Sequence, residues 1–204
     1  NPARPLMPSH PEFDEPPVMP PLSADMSLSF QRGSLIHRLL QSLPSLPPDQ
    51  RLAASDAYLM YPVWGLSSEE ITSIRDETLA VLSNEAFAPL FGPGSKAEVP
   101  VTGLVDGYAL SGQIDRLVVS ASDVMVVDFK TNRSPPRDAA SISQAYLFQM
   151  AAYRAALRSI YPDHKVRCSL LWTSGPFLTE LDNAQLDRTW STAGTKNNDT
   201  NEIN

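Results

Sequence analysis

Two aspartates stand in the middle of apolar segments, where a charged side chain is unexpected. Asp115 lies within SGQIDRLVV, and Asp128 lies within VMVVDFK, which ends two residues later at Lys130. Burying a lone carboxylate costs several kcal/mol unless the group is paired or binds a metal ion. A structural ion pair explains one such residue, but two in consecutive segments indicate a shared chemical purpose.

The spacing of the two segments predicts an antiparallel hairpin that turns at Ala121 and Ser122. In that register Asp115 faces Asp128, with Cβ atoms about 5 Å apart, and Lys130 projects from the same face. Neighbouring carboxylates repel each other unless a cation lies between them, and Mg²⁺, or Mn²⁺ as an alternative, prefers oxygen ligands. Such an ion assists phosphodiester hydrolysis, and Lys130 would orient water or stabilise developing negative charge. A purely structural hairpin, with an Asp–Lys ion pair and one exposed aspartate, remains the alternative.

The order Asp115, then Asp128-Phe129-Lys130, resembles the core motif of the PD-(D/E)xK nucleases, and VVDFKTNR is similar to the RecB family's version. The resemblance covers residues 32–181. It implies a restriction-endonuclease-like α/β fold, in which a mixed sheet with a three-strand meander is flanked by helices. It also implies that Asp115, Asp128 and the backbone carbonyl of Phe129 bind Mg²⁺, and that Asp115, Asp128 and Lys130 are catalytic.

Further family elements occur here in the family's order. His37 ends GSLIH, Gln149 and Tyr153 form the Gln-x-x-x-Tyr motif, and Glu98 matches an acidic position often seen in the family. The resemblance implies that His37 is a metal ligand and that Gln149, Tyr153 and Glu98 bind DNA or support the site. From the residues alone, other interpretations remain open: His37 as a core histidine with its hydrogen bonds satisfied, Gln149 and Tyr153 as a partly buried polar pair, and Glu98 as a solvent-facing residue.

The elements that position these residues are predicted from apolar periodicity. A helix is predicted over 30–42, another over 52–60, and a third from the capping box of Ser67 and Glu70 through Leu82. The period then changes to two. The downstream elements are strands over 98–104, 107–119 and 124–131, a helix over 139–160, and strands over 166–173 and 177–181.

The two ends of the chain differ in composition from its centre. Residues 1–27, with eight of the nineteen prolines between Pro2 and Pro21, are predicted to be a linker or arm. Residues 28–191 are predicted to be the nuclease domain, and 192–204 a disordered tail. The chain begins with Asn1 and contains no apolar run of transmembrane length, so we expect a fragment of a larger cytoplasmic protein without membrane association.

Net charge and cysteine content limit the classes of partner and cofactor. The net charge of −7 argues against a tight DNA binder, although residues 112–170 carry eight Lys or Arg against five Asp or Glu, a local net of +3. This balance favours DNA that a tethered partner delivers. The single cysteine, Cys168, excludes a four-cysteine iron–sulfur cluster within this chain. Its apolar surroundings predict a buried thiol.

Within the RecB family, the RG-x-x-x-H start, GQIDRL and the proline-containing stretch after DFKTNR most resemble the nuclease domain at the C-terminus of AddA. That resemblance implies a helicase portion in the same full-length chain, an AddB-like partner subunit, and a role in recombinational break repair. No GxxxxGK[ST] sequence is present, so we expect no ATP site in this fragment. A catalytically silent nuclease fold used for binding or scaffolding, and a free-standing RecB-like exonuclease, are the rival interpretations.

Overall fold

The computed structural model describes residues 4–6, 24–136 and 141–196. Its helices are α1 (Ala24–Ser42), α2 (Pro48–Leu59), α3 (Ser68–Ser83), α4 (Gln144–Ile160) and α5 (Asn183–Lys196). Its strands are β1 (Arg4–Leu6), β2 (Ser95–Val105), β3 (Tyr108–Val119), β4 (Asp123–Lys130), β5 (Lys165–Trp172) and β6 (Phe177–Glu180). Within these ranges, every helix is too short or too polar to cross a membrane.

The strands form one mixed sheet. Its order is β1, β3, β4, β5, β6, and β2 pairs with β3 outside that path. The β2–β3–β4 meander is antiparallel, whereas β5 runs parallel to β4 and is reached through α4. A parallel connection needs such a crossover helix. The predicted α/β class, with a mixed sheet and a three-strand meander, is confirmed.

Helices cover both faces of the sheet, because alternate residues of the central strands are apolar on both sides. On β4, Val127 and Phe129 pack against α1–α3, while Val124 and Val126 belong to the core beneath α4. The core between the sheet and α1–α3 also contains Leu35, Ile36, Leu39, Leu40, Leu59, Ile74, Val81 and Leu171. The core between the sheet and α4 also contains Ile114, Leu147, Met150, Tyr153, Leu170, Trp172 and Leu186.

Most predicted elements are present, and the differences lie at the ends. The capping box that opens α3 is confirmed: the Ser67 hydroxyl accepts from the Glu70 N–H, and the Glu70 carboxylate accepts from the Ser67 N–H at 2.8 Å. Helix α1 begins at Ala24 rather than Phe30. The predicted arm over 1–27 contributes β1, which pairs in parallel with the start of β3. The remainder of that arm, residues 1–3 and 7–23, lies outside the described residues.

Helix α5 was not predicted, because its sequence is polar and offers few apolar positions. Leu186 is nevertheless buried, and Trp190 Nε1 donates to Asp106 at 2.7 Å. These contacts hold α5 against α4 and the β2–β3 turn. The helix extends to Lys196, so it includes residues 192–196 of the predicted tail, and residues 197–204 lie outside the described part.

The buried thiol of Cys168 gives a simple test of this core. Cys168 has no exposed surface, and burial raises the pKa of its thiol to about 12. Since the thiolate is the reactive form, we expect no labelling by a thiol reagent at neutral pH in the folded protein and full labelling in denaturant. Spectrophotometric thiol titration measures both states. Rapid labelling of the folded protein would mean that β5 is not packed as described.

Candidate active site

The candidate site opens into a cleft between α1 and the sheet. The cleft has a volume of about 1680 Å³. Its walls are the exposed side of α1, the first turn of α3, the middle of β2 and β3, and the segment over 131–134 that follows β4. His37, Glu98, Gln113 and Asp115 lie on its surface. Among the candidate residues, His37, Glu98 and Asp115 thus line this cleft.

Strands β3 and β4 separate at the site. Their pairing runs from Val119–Val124 to Arg116–Val127, in the register predicted from the hairpin. The next pair would be Asp115 and Asp128, but the ladder does not include it. The predicted direct cross-strand opposition of these two aspartates is therefore wrong. Instead, Asp115 Oδ2 accepts a hydrogen bond from the Phe129 N–H at 2.7 Å, so a side chain replaces the missing backbone pairing.

Where the strands separate, the side chains of β3 also stop alternating regularly between the two faces of the sheet. In a regular strand Gly112 and Arg116 would face the same side of the sheet. In this strand Gly112 lies against Tyr153 of α4, whereas Arg116 Nη2 donates to the Leu40 carbonyl of α1 at 2.6 Å. The alternation thus changes between them, around Asp115. Irregularities of this kind re-aim side chains beside active sites, and Asp115 is turned toward the backbone of β4.

The neighbouring strand β2 is irregular at the same level. Its pairs with β3 include Ala97–Arg116 and Val99–Ile114 but pass over Glu98. Glu98 has a φ of 51°, a left-handed conformation that costs a non-glycine residue about 1–3 kcal/mol. Such strain persists only where the surrounding structure enforces it, and it is common at functional sites.

Asp128 and Lys130 form a buried ion pair on the α4 side of β4. Lys130 Nζ lies 2.7 Å from Asp128 Oδ2, and Asp128 is only 4% exposed. Lys130 Nζ also donates to Gln149 Oε1 at 3.2 Å and lies 3.8 Å from the centre of the Tyr146 ring. The ammonium is therefore held by a carboxylate, an amide and an aromatic face.

The protonation of this pair follows from burial and mutual charge. Burial raises the pKa of Asp128, and the negative charge of Asp115 adds to that rise, while the charge of Lys130 opposes it. Burial lowers the pKa of Lys130, but the charge and hydrogen bond of Asp128 outweigh burial and raise it overall. Lys130 therefore stays positively charged, and Asp115 lies close enough to Asp128 to raise the pKa of Asp128.

His37 reaches the site because α1 approaches β4 at a glycine. A Cβ on Gly33 would lie 2.9 Å from Thr131 Oγ1, so a larger residue would move the helix or the threonine. One turn later, His37 Nδ1 lies 3.5 Å from Asp115 Oδ1, and its ring meets the edge of Phe129. Burial lowers the pKa of His37, but its hydrogen bond with Asp115 and the charges of Asp115 and Asp128 raise it overall. His37 thus points toward the carboxylates as predicted, and its role as a metal ligand stays a prediction.

Glu98 lies beside Asp115 and is partly buried. Burial raises the pKa of Glu98, the charge of Asp115 raises it further, and the charge of His37 lowers it. Gln113 Nε2 donates to the Glu98 backbone carbonyl at 3.4 Å. The structure therefore places Glu98 among the site's charges, as the resemblance implied, although its function stays a prediction.

Gln149 and Tyr153 lie behind the site rather than at its surface. Gln149 is 8% exposed and accepts from Lys130, and Tyr153 has no exposed surface. The Tyr153 hydroxyl donates to the Gln113 carbonyl at 2.8 Å and accepts from the Gln113 N–H at 3.2 Å. These positions favour site support, and the burial of Tyr153 leaves it no surface for the alternative, DNA contact.

The donors at the site fit Mg²⁺ only if oxygen atoms other than side chains contribute. Among the described residues, no three His, Cys, Asp or Glu side chains are arranged to hold an ion by themselves. Mg²⁺ is commonly held by one or two carboxylates while it keeps several waters. Asp115 and Asp128 supply the carboxylates. The Phe129 N–H points to Asp115, and its carbonyl faces the same side of the extended strand.

One atom of this donor set is incompletely satisfied. Within the described ranges, Asp128 Oδ2 is buried and lacks a well-directed hydrogen bond, although Lys130 Nζ lies 2.7 Å away. A buried carboxylate oxygen in this condition is a chemically reasonable cation ligand. The assignment of Asp115, Asp128, Phe129 and His37 to a metal ion stays a prediction.

Two sets of contacts were missed from the sequence. Tyr146 lies three residues before Gln149, which is the spacing of neighbours on one helix face, so this spacing could have identified it. The second set ties the end of β4 to the helices: Arg32 pairs with Glu77, Glu77 accepts from the Thr173 hydroxyl, and the Thr173 N–H donates to the Lys130 carbonyl at 3.0 Å. These residues are far apart in sequence and carry no pattern.

Comparison with known proteins places this geometry in a family. A family model for the PD-(D/E)XK nuclease superfamily matches residues 15–199, and no curated protein matches the chain. Among solved structures, the chain is similar to SSO0001, with 14% sequence identity, a TM-score of 0.33, and coverage of 84% of this chain and 85% of that one. A TM-score this low says nothing about fold or function. The matching family model describes the superfamily as a whole, so the finer assignment to the RecB family or to AddA stays a prediction. Because that model spans most of the sequence, the chain belongs to the PD-(D/E)XK nuclease superfamily.

Proposed function

We propose that this protein is a divalent-metal-dependent deoxyribonuclease that hydrolyses phosphodiester bonds. The observation that carries the proposal is the charge arrangement at the end of β4. Lys130 is held at 2.7 Å from the buried Asp128, and Asp115 is turned toward the backbone of β4 by its hydrogen bond with the Phe129 N–H. Two carboxylates and an ammonium, with Asp115 on the wall of the cleft and the Asp128–Lys130 pair buried on the α4 side of the strand, match the chemistry that phosphodiester hydrolysis requires.

Each candidate site residue has its own role in the proposed reaction. Asp115, Asp128 and the Phe129 carbonyl would hold Mg²⁺ or Mn²⁺. When bound, such an ion polarises the scissile phosphate and acidifies a coordinated water. Lys130 places a fixed positive charge where negative charge develops, and Gln149 and Tyr146 restrict the position of its ammonium. His37 orients Asp115 through the contact between Nδ1 and Oδ1.

We further propose a RecB-type role for the domain. The GSLIH element, the Gln-x-x-x-Tyr motif and their order along the chain support this assignment. On this basis the domain acts in the cytoplasm on single strands that an attached AddA-like helicase portion delivers, with an AddB-like partner, in recombinational break repair. The net charge of −7 supports delivery by a partner rather than independent capture of DNA.

A cleavage assay tests the proposed activity. We expect the 204-residue chain to cut end-labelled single-stranded DNA when Mg²⁺ or Mn²⁺ is present and to be inactive with EDTA. Asp128→Ala should abolish cutting, because it removes a proposed ligand. Asp123→Ala is the matched control, since Asp123 begins the same strand and pairs with Arg167 at 3.6 Å. That variant should cut normally, because five residues of strand place it about 16 Å away.

A catalytically silent binding or scaffolding domain is the second candidate. Both oxygens of Asp115 already have partners, and Lys130 already neutralises Asp128, so the site is largely satisfied without an ion. If the wild-type chain binds DNA but neither Mg²⁺ nor Mn²⁺ supports cleavage, the silent function replaces the proposed one.

A further inference from the structure

An exposed aromatic side chain stands on the helix that forms one wall of the cleft. Phe30 is 80% exposed. Among residues 29–42 of α1, whose burial the structure describes, the other large apolar residues are buried in the core, namely Leu35, Ile36, Leu39 and Leu40. The fold therefore does not use the Phe30 ring, whereas the cleft does include it among its lining residues.

Phe30 shares a helix face with the candidate site. It precedes His37 by seven residues, which is about two turns and about 10 Å along the axis. Residues at this spacing project in nearly the same direction. Ser34 and Gln41 continue the same stripe, and all four of these side chains line the cleft. A ligand lying along α1 in the cleft would pass both the Phe30 ring and Asp115, which also lines it.

The charges of the cleft do not favour a strongly anionic ligand by themselves. Arg38 and Arg133 line it, but so do Glu69, Glu70 and Glu98. Arg32 also lies there, although its guanidinium already pairs with Glu77. Attraction to phosphates is therefore limited. A nucleic acid bound in the cleft needs a contribution that does not depend on net charge, and stacking of a base on an aromatic ring is one.

We propose that Phe30 is a stacking platform for a nucleobase of a single DNA strand bound along the cleft. The inference rests on the proposed nuclease function and specifies how its substrate is held. Stacking of this kind tolerates any base, because every base presents an aromatic face. It selects single strands, since the bases of a duplex are already stacked on each other.

Binding measurements without divalent metal test this contact apart from cleavage. The probe is a fluorescent oligothymidylate titrated with the wild-type chain and with Phe30→Trp, Phe30→Leu and Phe30→Ala. We expect Phe30→Trp to bind at least as tightly as wild type, and Phe30→Ala to bind about 5- to 150-fold more weakly, the usual range for losing one stacked base. Phe30→Leu keeps apolar surface without a ring and should resemble Phe30→Ala. Because Phe30 is exposed, these variants should unfold at the wild-type temperature.

Abasic probes locate the stacked base. In a set of oligothymidylates, each lacking one base, a single position should weaken wild-type binding and leave Phe30→Ala binding unchanged. The dependence of affinity on salt should be the same for wild type and Phe30→Ala, because no phosphate contact is lost. Equal affinity of all four proteins would overturn the proposal, as would full retention by Phe30→Leu, which would indicate an apolar docking surface for protein.

The two proposals fail separately in these experiments. A wild-type chain that cuts DNA while Phe30→Ala binds and cuts equally well retains the nuclease function and loses the stacking platform. A chain that never cuts but shows ring-dependent binding at one base position retains the platform and loses the nuclease function.

Discussion

Cleavage by Lys130→Ala is expected to be about 10²–10³ slower than by the wild type, the usual effect of removing one positioned electrostatic group. The two carboxylates remain in this variant, so Mn²⁺ should still bind, slightly more tightly because a neighbouring positive charge is gone. Asp128→Ala should differ, because it removes a proposed ligand and should lower Mn²⁺ affinity and cleavage together. Calorimetric Mn²⁺ titration beside a cleavage assay separates the two roles.

The buried ion pair adds an effect on stability to this prediction. Asp128 is 4% exposed and has Lys130 as its charge partner at 2.7 Å. Removing one member of a buried pair costs about 3–5 kcal/mol, so Lys130→Ala should unfold at a lower temperature without metal and recover part of the loss when Mn²⁺ is added.

Lys130→Met is the matched control for shape, since it keeps most of the side-chain length without the charge. It should cut as poorly as Lys130→Ala. Near-wild-type cleavage by either variant would show that Lys130 serves only as an ion-pair partner of Asp128, and the proposed mechanism would lose its positive charge.

Gly112→Ala is expected to lower both stability and cleavage, although Gly112 is neither a charged residue of the site nor part of the nuclease core motif. A Cβ at this position would lie 2.8 Å from Tyr153 Cε1 and from the Tyr153 hydroxyl oxygen. Tyr153 is fully buried and cannot move aside freely. Overpacking of this kind costs about 1–3 kcal/mol, and each lost hydrogen bond between Tyr153 and Gln113 about 0.5–1.5 kcal/mol more. Displaced Gln113 would then carry Asp115 out of position.

Gly103→Ala is the control for adding one methyl group to the same sheet. Gly103 lies on β2, where an added Cβ meets nothing within 4 Å. The unfolding temperature should fall by about 2–4 °C for each kcal/mol of stability that Gly112→Ala loses, and it should stay unchanged for Gly103→Ala. If Gly112→Ala unfolds and cuts like the wild type, the packing of Tyr153 on β3 is not as described.

Much of the fold follows from periodicity in the sequence. Alternation of apolar residues located β2 to β6 within a few positions, and the Ser67 capping box marked the start of α3 correctly. The hairpin register between β3 and β4 was also predictable, because the turn at 121–122 sets it. Helix α5 could not be predicted, since its stability depends on contacts such as Trp190 with Asp106, which are distant in sequence.

Family resemblance selects the candidate residues of the site but does not give their geometry, and their roles stay predictions. Family resemblance located His37, Asp115, Asp128 and Lys130, and the structure brings their side chains together. Pleat geometry predicted that the aspartates oppose each other, which fails because β3 changes its alternation at this level. Such a change of alternation depends on which helix packs on each face of the sheet, and the sequence of one strand does not contain that information.

The separation of β3 from β4 has a consequence for anyone who would transplant this site onto another scaffold. Grafting the charged side chains onto a regular hairpin would leave Asp115 pointing to one face, because only a broken ladder turns it toward the Phe129 N–H. The break also leaves backbone groups that the recipient must accommodate, as the Tyr153 hydroxyl does for Gln113. A design must therefore copy the interrupted pairing of β3 and β4 together with Asp115 and Tyr153, whose side chains bond to the unpaired backbone groups. A design that copies only the carboxylates and the lysine would lack the supporting contacts that hold a site in position.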